Sequence, residues 1–386
     1  MTAPGADAPT AALSARIGRA VSDIAPAQWD ALAGPDDPFT CHAFLAALEQ
    51  SGSVGPGSGW QPAPIQLEDA AGALLGLLPA YAKGHSQGEY VFDHGWADAW
   101  ERAGGEYYPK LQIAVPFTPA TGPRLLLADP AHAPALIAAA EQVTRASGFS
   151  SAHATFLTEA DAAHFAAAGW LARRDIQFHW HNRGFASFDD FLATLASRKR
   201  KALRKERAAA QKAVTIRQLS GGDLRPHHWD AFWQFYQDTG ARKWGTPYLT
   251  RAFFDLIGEA MADRIVLVLA YDDDVPVAGA LNFIGGDALY GRYWGCTRDV
   301  PFLHFELCYY QAIDAAIARG LARVEAGAQG GHKLARGYEP VETRSAHFIA
   351  DARFRGAVAD FLARERAGIA ADRLYLERAG PFRRAD

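Results

Sequence analysis

Cysteine is scarce: Cys41, Cys296 and Cys308 are the three in a chain of 386 residues. They are too few and too scattered for a disulfide framework, and no CxxC pair offers a metal site. That usage suits a reducing, cytoplasmic compartment. Long apolar runs are missing too. The longest, Ala73–Ala82, is broken by Gly76 and Pro79 and falls far short of the ~20 residues that cross a bilayer. The N-terminal stretch has no unbroken apolar segment and no early basic cluster, so a secretory signal is not expected. Charge of one sign is not in excess either. With 39 Lys and Arg against 43 Asp and Glu, the net charge is −4. That balance argues against a general nucleic-acid binder, so any polyanion contact must be local.

What is present is ordinary globular material, 49% hydrophobic and 21% charged, in a chain long enough for two cores. The expected division is a disordered tail over 1–15, an N-terminal domain over 16–183 and a C-terminal domain over 184–386. A basic helix over 198–212 would link them. In the first half, helical patterns cover Pro26–Leu32 and Ala43–Ser51, and a hairpin runs through Ile65–Glu68 and Ala73–Ala82. A strand follows at Gln112–Val115. A helix over Pro134–Ser147 stops at Gly148, and strands near Ala152–Leu157 and Asp175–His181 flank the helix Glu159–Ala168. The second half repeats this order. Strand Val214–Leu219, helices His227–Thr239 and Tyr248–Ala260, and the hairpin Arg264–Tyr271/Val275–Phe283 lead to strand Ala288–Trp294. A helix over Phe302–Arg319 stops at Gly320. The strands Arg323–Glu325 and Ser345–Ala350 then flank a helical turn at Lys333–Gly337. Five residues separate Gly148 from His153 and Gly320 from Glu325, so an internal duplication is expected. Strands alternating with helices give a mixed α/β class.

The strings Pro301-Phe-Leu-His-Phe-Glu-Leu-Cys-Tyr-Tyr-Gln311 and Val324-Glu-Ala-Gly-Ala-Gln-Gly-Gly-His-Lys-Leu-Ala-Arg-Gly-Tyr338 resemble the FemAB-like family of N-acyltransferases within the GNAT superfamily. Pro116-Phe-Thr-Pro-Ala-Thr-Gly-Pro-Arg124, Ala241-Arg-Lys-Trp-Gly-Thr-Pro-Tyr248 and Leu289-Tyr-Gly-Arg-Tyr-Trp-Gly295 match as well, and the resemblance runs from about Pro38 to Arg383. It implies two tandem GNAT-like domains with mixed sheets flanked by helices. It also implies acyl or aminoacyl transfer from acyl-CoA or aminoacyl-tRNA to an amine, with no tightly bound cofactor. Two departures stand out. The family usually carries an acidic residue where this chain has Gly331, which keeps a non-catalytic binding module as the rival reading. The loop Cys296-Thr-Arg-Asp-Val-Pro-Phe302 lacks the Gln/Arg-x-x-Gly-x-Gly/Ala pattern that acyl-CoA enzymes use for pyrophosphate.

Acyl transfer to an amine needs a proton acceptor, donors for the developing oxyanion and re-protonation of the leaving group. Glu306, in the first turn of the long helix, reads as a general base or amine anchor, or else as half of a structural ion pair. Glu325 precedes the glycine-rich Gly327-Ala-Gln-Gly-Gly-His332. Strand, loop and helical turn there would point backbone N–H groups at an anion, or simply make a tight turn. If the two carboxylates converge, repulsion raises one pKa into a useful range. His304 and His332 are the assisting groups. Arg292, Tyr293, Gln329, Lys333, Arg336 and Lys243 are candidates for holding donor or acceptor, while Trp294 and Cys308 read as core. His85, Glu89, Asp93 and His94 have a metal-like composition, but their spacing fits no zinc pattern. Seven of the ten residues Arg198–Arg207 are basic. They suit a tRNA stem, a CoA phosphate or an anionic lipid, or equally a solvated linker helix.

Overall fold

A computed structural model describes residues 13–243, 247–327 and 330–383, with the side chains of 240–243 outside the description. The first half runs β1 (Ser14–Ile17), α1 (Pro26–Ala33), α2 (His42–Gln50), β2 (Trp60–Pro62), β3 (Ile65–Glu68), β4 (Leu74–Leu78) and β5 (Ala80–Lys83). It continues through α3 (His94–Arg102), β6 (Lys110–Ile113), β7 (Leu126–Leu127), α4 (Ala133–Ala146), β8 (Ser151–Thr155), α5 (Glu159–Ala167) and β9 (Leu171–His181). The second half opens with α6 (Phe188–Ala193), α7 (Ser197–Ala213), β10 (Thr215–Leu219), α8 (Pro226–Lys243) and α9 (Arg251–Ala260). Strands β11 (Ile265–Asp272), β12 (Val275–Ile284) and β13 (Ala288–Cys296) follow. Then come α10 (Leu303–Phe305), a π-helical turn (Glu306–Tyr310), α11 (Gln311–Ala318), β14 (Arg323–Glu325), a 3-10 turn (Gly331–Arg336), β15 (Glu339–Ile349) and α12 (Ala352–Arg378). Ser14 and Ala15, expected in the tail, already belong to β1, which pairs with β3. The hairpin strand expected over Ala73–Ala82 is split at Pro79, which has no N–H to give a ladder. Its two pieces enter different sheets.

Eleven strands form one sheet in the order β10-β11-β12-β13-β14-β9-β15-β8-β6-β5-β2. Its centre is an exchange. β15, from the second half, lies between β8 and β9 of the first, and β9 pairs with β14 of the second. The two exchanged strands pair antiparallel with each other, from Glu339 opposite His179 to His347 opposite Leu171. The halves thus repeat one arrangement. Parallel β6 and β8 are flanked by β15, and parallel β13 and β14 are flanked by β9. His153 stands opposite Gln112 and His347, as Glu325 stands opposite Tyr290 and His179.

Apolar residues cover both faces of the second half's sheet. On one face, Val266, Val268, Ala280 and Val324 pack against Leu303, Leu307, Tyr310 and Ile313 of the α10–α11 helix. On the other, Leu267, Leu281, Phe283 and Tyr290 meet α8, α9 and residues from the N-terminus of the chain. Phe39 and Phe44 reach across from the first half, their rings edge-on to Phe283 at 5.3 and 5.6 Å.

The first half buries a charged network. Lys110 Nζ donates to Asp93 Oδ2 at 2.6 Å, Glu89 Oε2 at 2.8 Å and Ser86 Oγ at 2.8 Å. The Tyr107 hydroxyl donates to Asp93 at 2.6 Å. Glu89 and Asp93 are therefore occupied by an ammonium group rather than turned towards His85 and His94. His85 instead bonds Lys83 and the Ser58 carbonyl. Beyond Tyr107, His153 and His347 share an Nδ1–Nδ1 hydrogen bond of 2.7 Å across β8 and β15. One ring must donate and the other accept, so at least one is neutral.

Burial, joined by the Lys110 charge, pushes His153 down to about 3, and burial beside His153 holds His347 well below its ordinary value. In the unfolded chain both titrate near ~6.5. The unfolded state therefore binds protons that the folded state refuses as pH falls from about 6.5 towards 3. Their contribution is complete above that window and is lost within it. We expect the urea midpoint to fall between pH 7 and 5, and to fall less steeply in His153→Gln. Parallel curves for the two proteins would remove the histidine pair from the acid response.

Candidate functional site

β13 and β14 hydrogen-bond only over Ala288–Tyr290 and Arg323–Glu325. Past that point β13 runs on to Cys296, while the chain after Glu325 turns away through Ala326 and Gly327. The separation opens a wedge against the α10–α11 helix, a cavity of about 130 Å³ lined in part by Asn282, Gly291, Arg292, Tyr293, Trp294, His304, Cys308 and Tyr309. That volume is smaller than the roughly 300–1,000 Å³ of a pocket that encloses a whole small-molecule ligand.

The corresponding place in the first half is filled. After β6, residues Ala114, Val115, Phe117 and Thr118 are buried, and Gly122 bridges to Leu157 beside β8. Arg124, 1% exposed, seals it. Its guanidinium donates to the carbonyls of Thr155, Ala120 and Pro123 at 3.0, 2.9 and 3.0 Å.

Around the open wedge several of the expected residues meet. The His304 ring stands edge-on to Trp294 at 5.2 Å and lies 6.1 Å from His332. His332 Nε2 is 2.8 Å from the Tyr309 hydroxyl. Lys333 is 2% exposed, and its Nζ donates to Gly327 O at 2.9 Å. Burial lowers this amine to about 8, with the Arg292 charge acting in the same direction and Cys308 against it. Arg292 donates to Phe117 O and lies 5.2 Å from the Tyr293 ring, which ties the wedge to the first half. Arg336 has another task. It bonds Glu206 of α7 at 2.9 Å, and its guanidinium caps the Phe305 ring at 3.4 Å. Gln329 and the side chain of Lys243 lie outside the described residues.

The two carboxylates do not converge, and this corrects the expectation that they share a cleft. Val324 faces the α10–α11 helix, so Glu325, its neighbour on the strand, points to the opposite face of the sheet. There it takes a 2.9 Å bond from Arg323 and lies 3.6 Å from His179. Burial, aided by His181 and the Arg323 charge, keeps that imidazole near 3 and therefore neutral. Glu306 stays on the helix side and turns to α7, accepting from Gln211 at 2.9 Å and Gln311 at 2.7 Å. Burial raises both carboxyls despite their partners, and neither lines the wedge.

The π-helical turn explains the misplacement. Regular spacing groups Glu306 with Tyr310. The wider turn instead sets Glu306 beside Gln311 and brings Cys308 and Tyr309, assigned to the core or passed over, to the cavity wall. The helix also begins later than expected. Phe302 precedes it in a left-handed conformation, and no side chain caps it. At Gly331 nothing lies within 4 Å of a would-be Cβ, so the family's usual acid would fit. Asn282 escaped the sequence reading, although it is the one polar residue in the buried run Val277–Phe283.

Helix α7 is more than a linker. Leu203 and Ala210 are buried, and Glu206 and Gln211 brace Arg336 and Glu306. Arg204 and Arg207 pair with Asp189 and Asp314, whereas Arg198, Lys199, Lys201 and Lys205 are exposed. No helix among the described residues is long and apolar enough to cross a membrane.

Nothing among the curated proteins matches the sequence. Solved structures do. The crystal structure of FemX superposes with a TM-score of 0.53 at 12% identity, covering 87% of this chain and 98% of FemX. L-PGS from Bacillus licheniformis gives 0.50 at 10% identity, covering 86% and 98%. The C-terminal domain of a putative lysylphosphatidylglycerol synthetase from Agrobacterium fabrum gives 0.51 at 12%, covering 88% and 95%. At such identities these similarities establish the fold. A family model described as peptidoglycan biosynthesis/recognition matches residues 20–384. The chain belongs to this FemAB-like family, and it shares the mixed α/β fold of those structures over most of its length.

Proposed function

We propose that the wedge in the second half is where an acyl or aminoacyl group passes from an activated donor to an amine. The supporting observation is the contrast between the halves. One β-strand pair opens onto Arg292 and His304, with His332 set against His304 and Tyr309 and the buried Lys333 within reach of the Arg292 charge, while its counterpart is closed by Arg124. Lys333 is the group best suited to the proton. At about 8, the amine exchanges between charged and neutral forms near neutrality, where a base is most effective. His332, joined to Tyr309, stands next in the chain to pass that proton on. Arg292 supplies fixed positive charge for the oxyanion, at a position braced by the first half. Neither Glu306 nor Glu325 has a role in the reacting cleft.

The donor is acyl-CoA or aminoacyl-tRNA. The exposed cations of α7 favour the second, because an RNA stem rewards several phosphate contacts at once. The acceptor is an amine of the kind found in peptidoglycan precursors, by analogy with the family description.

Three measurements test this reading. With Lys333 as the base, turnover rises with pH through about 8, and Lys333→Met loses roughly a hundredfold or more. A fall with the same midpoint would make the ammonium the active form instead. Glu306→Gln, which keeps a side-chain acceptor for Gln211 and Gln311, should hold turnover within about threefold. A loss as large as that of Lys333→Met would return Glu306 to the chemistry. Replacing Lys199, Lys201 and Lys205 by Glu should weaken an aminoacyl-tRNA donor by at least tenfold and flatten its salt dependence, with coenzyme A binding unchanged. Equal effects on both donors, or none on tRNA, would rule out α7 as the RNA contact.

A further inference from the structure

Asn282 is 1% exposed in the middle of β12, where an unpaired polar atom is costly. Its amide is half satisfied. Nδ2 donates to the Val266 carbonyl at 3.1 Å and approaches the Ala280 carbonyl at 3.5 Å. Those two acceptors fix the orientation, because turning the amide over would set its oxygen against two carbonyl oxygens. Oδ1 therefore faces away from them. It is buried and has no hydrogen-bond partner. Asn282 lines the wedge, and Gly291 stands opposite it on β13. A Cβ at 291 would lie 3.3 Å from Oδ1, 3.5 Å from Glu325 O and 3.7 Å from Ala326 Cα. The missing side chain leaves the approach to Oδ1 open where the strands part.

The geometry points to Asn282 as the specificity residue for the donor. Its Oδ1 accepts a hydrogen bond from an N–H on the arm that carries the activated carbonyl, and Gly291 leaves room for that arm. The inference rests on the wedge being the transfer site and narrows what enters it. A purely hydrocarbon or ester arm leaves Oδ1 desolvated and is rejected, whereas an amide or amino N–H completes it. Both donor classes carry such a group: the amides of a coenzyme A arm and the amino group of an aminoacyl ester.

Calorimetry on the full chain separates the sources with two probes, coenzyme A and 3′-alanylamino-3′-deoxyadenosine. Adenosine 3′,5′-diphosphate and adenosine, which lack the arms, serve as their controls. Two variants remove the contact differently. Asn282→Leu deletes the acceptor at similar volume, and Gly291→Ala leaves Asn282 intact while crowding its oxygen. Each should weaken the N–H-bearing probe that the wild type binds by about tenfold and leave the matching control unchanged. Loss confined to coenzyme A assigns the arm to acyl-CoA, and loss confined to the alanyl probe assigns it to the aminoacyl donor. Should Asn282→Leu fail to fold, Gly291→Ala decides alone. Full affinity in that variant overturns the proposal and leaves the transfer site standing, with Oδ1 held by water. A wild type that binds neither probe overturns both.

Discussion

The pairing of β9 with β15 is the constraint on which everything else depends. Each of these strands completes the other half's sheet, so neither half has a finished edge of its own. An isolated half would expose a row of unpaired backbone groups next to β8 or β14. The exchange also fixes the register of the strands that matter. β14 is only three residues long and contributes little by itself, yet it is held between β13 and β9. Its shortness creates the wedge, and its neighbours keep that wedge from collapsing.

The buried charges serve this frame. Glu325, Arg323 and His179 join β14 to β9, while Lys110, Asp93 and the His153–His347 pair join the first half to β15. Glu306 ties the π-helical turn to α7. A buried carboxylate with one oxygen bonded and the other bare, as in Glu306 and Glu325, invites a catalytic reading. The partners of each are nonetheless fixed protein groups, and neither carboxylate lines the cavity. Lys333 does not line the cavity either, but its Nζ bonds a backbone carbonyl of the glycine-rich loop rather than a side chain, and burial lowers it to about 8.

Local elements were legible in the sequence because their signals are local. The hairpin of β11 and β12, the strand Arg323–Glu325 and the helix ends near Gly148 and Gly320 follow from periodicity and turn chemistry. The register shared by His153 and Glu325 was visible as an equal offset from those two glycines. The features that stayed hidden depend on contacts far apart in the chain. β9 and β15 extend well beyond their expected lengths because each is paired along its length with a strand some 170 residues away. α12 passed unnoticed, since only Phe354, Val358 and Leu362 of its length are buried and the apolar stripe is too sparse to read. The π-helical turn cannot be read from regular helical spacing at all. It moved Glu306 out of the cleft and brought Tyr309 and Cys308 in.

Two halves built alike, with an open wedge in the second, raise the question of what closed the first. The strand geometry does not answer it, since β6 and β8 are parallel neighbours just as β13 and β14 are. The difference lies in the path of the chain beyond the first strand of each pair. After β6 the chain folds back through Pro116–Arg124 and spends a guanidinium on three carbonyls, satisfying the backbone that the parting strands would otherwise expose. After Tyr290 the chain continues straight, with Gly291 and a bulge, and leaves Asn282 Oδ1 unanswered. The closed half then takes a supporting part, because Phe117 of its plug receives the hydrogen bond that positions Arg292. The loop that closes one wedge thereby braces the cation of the other.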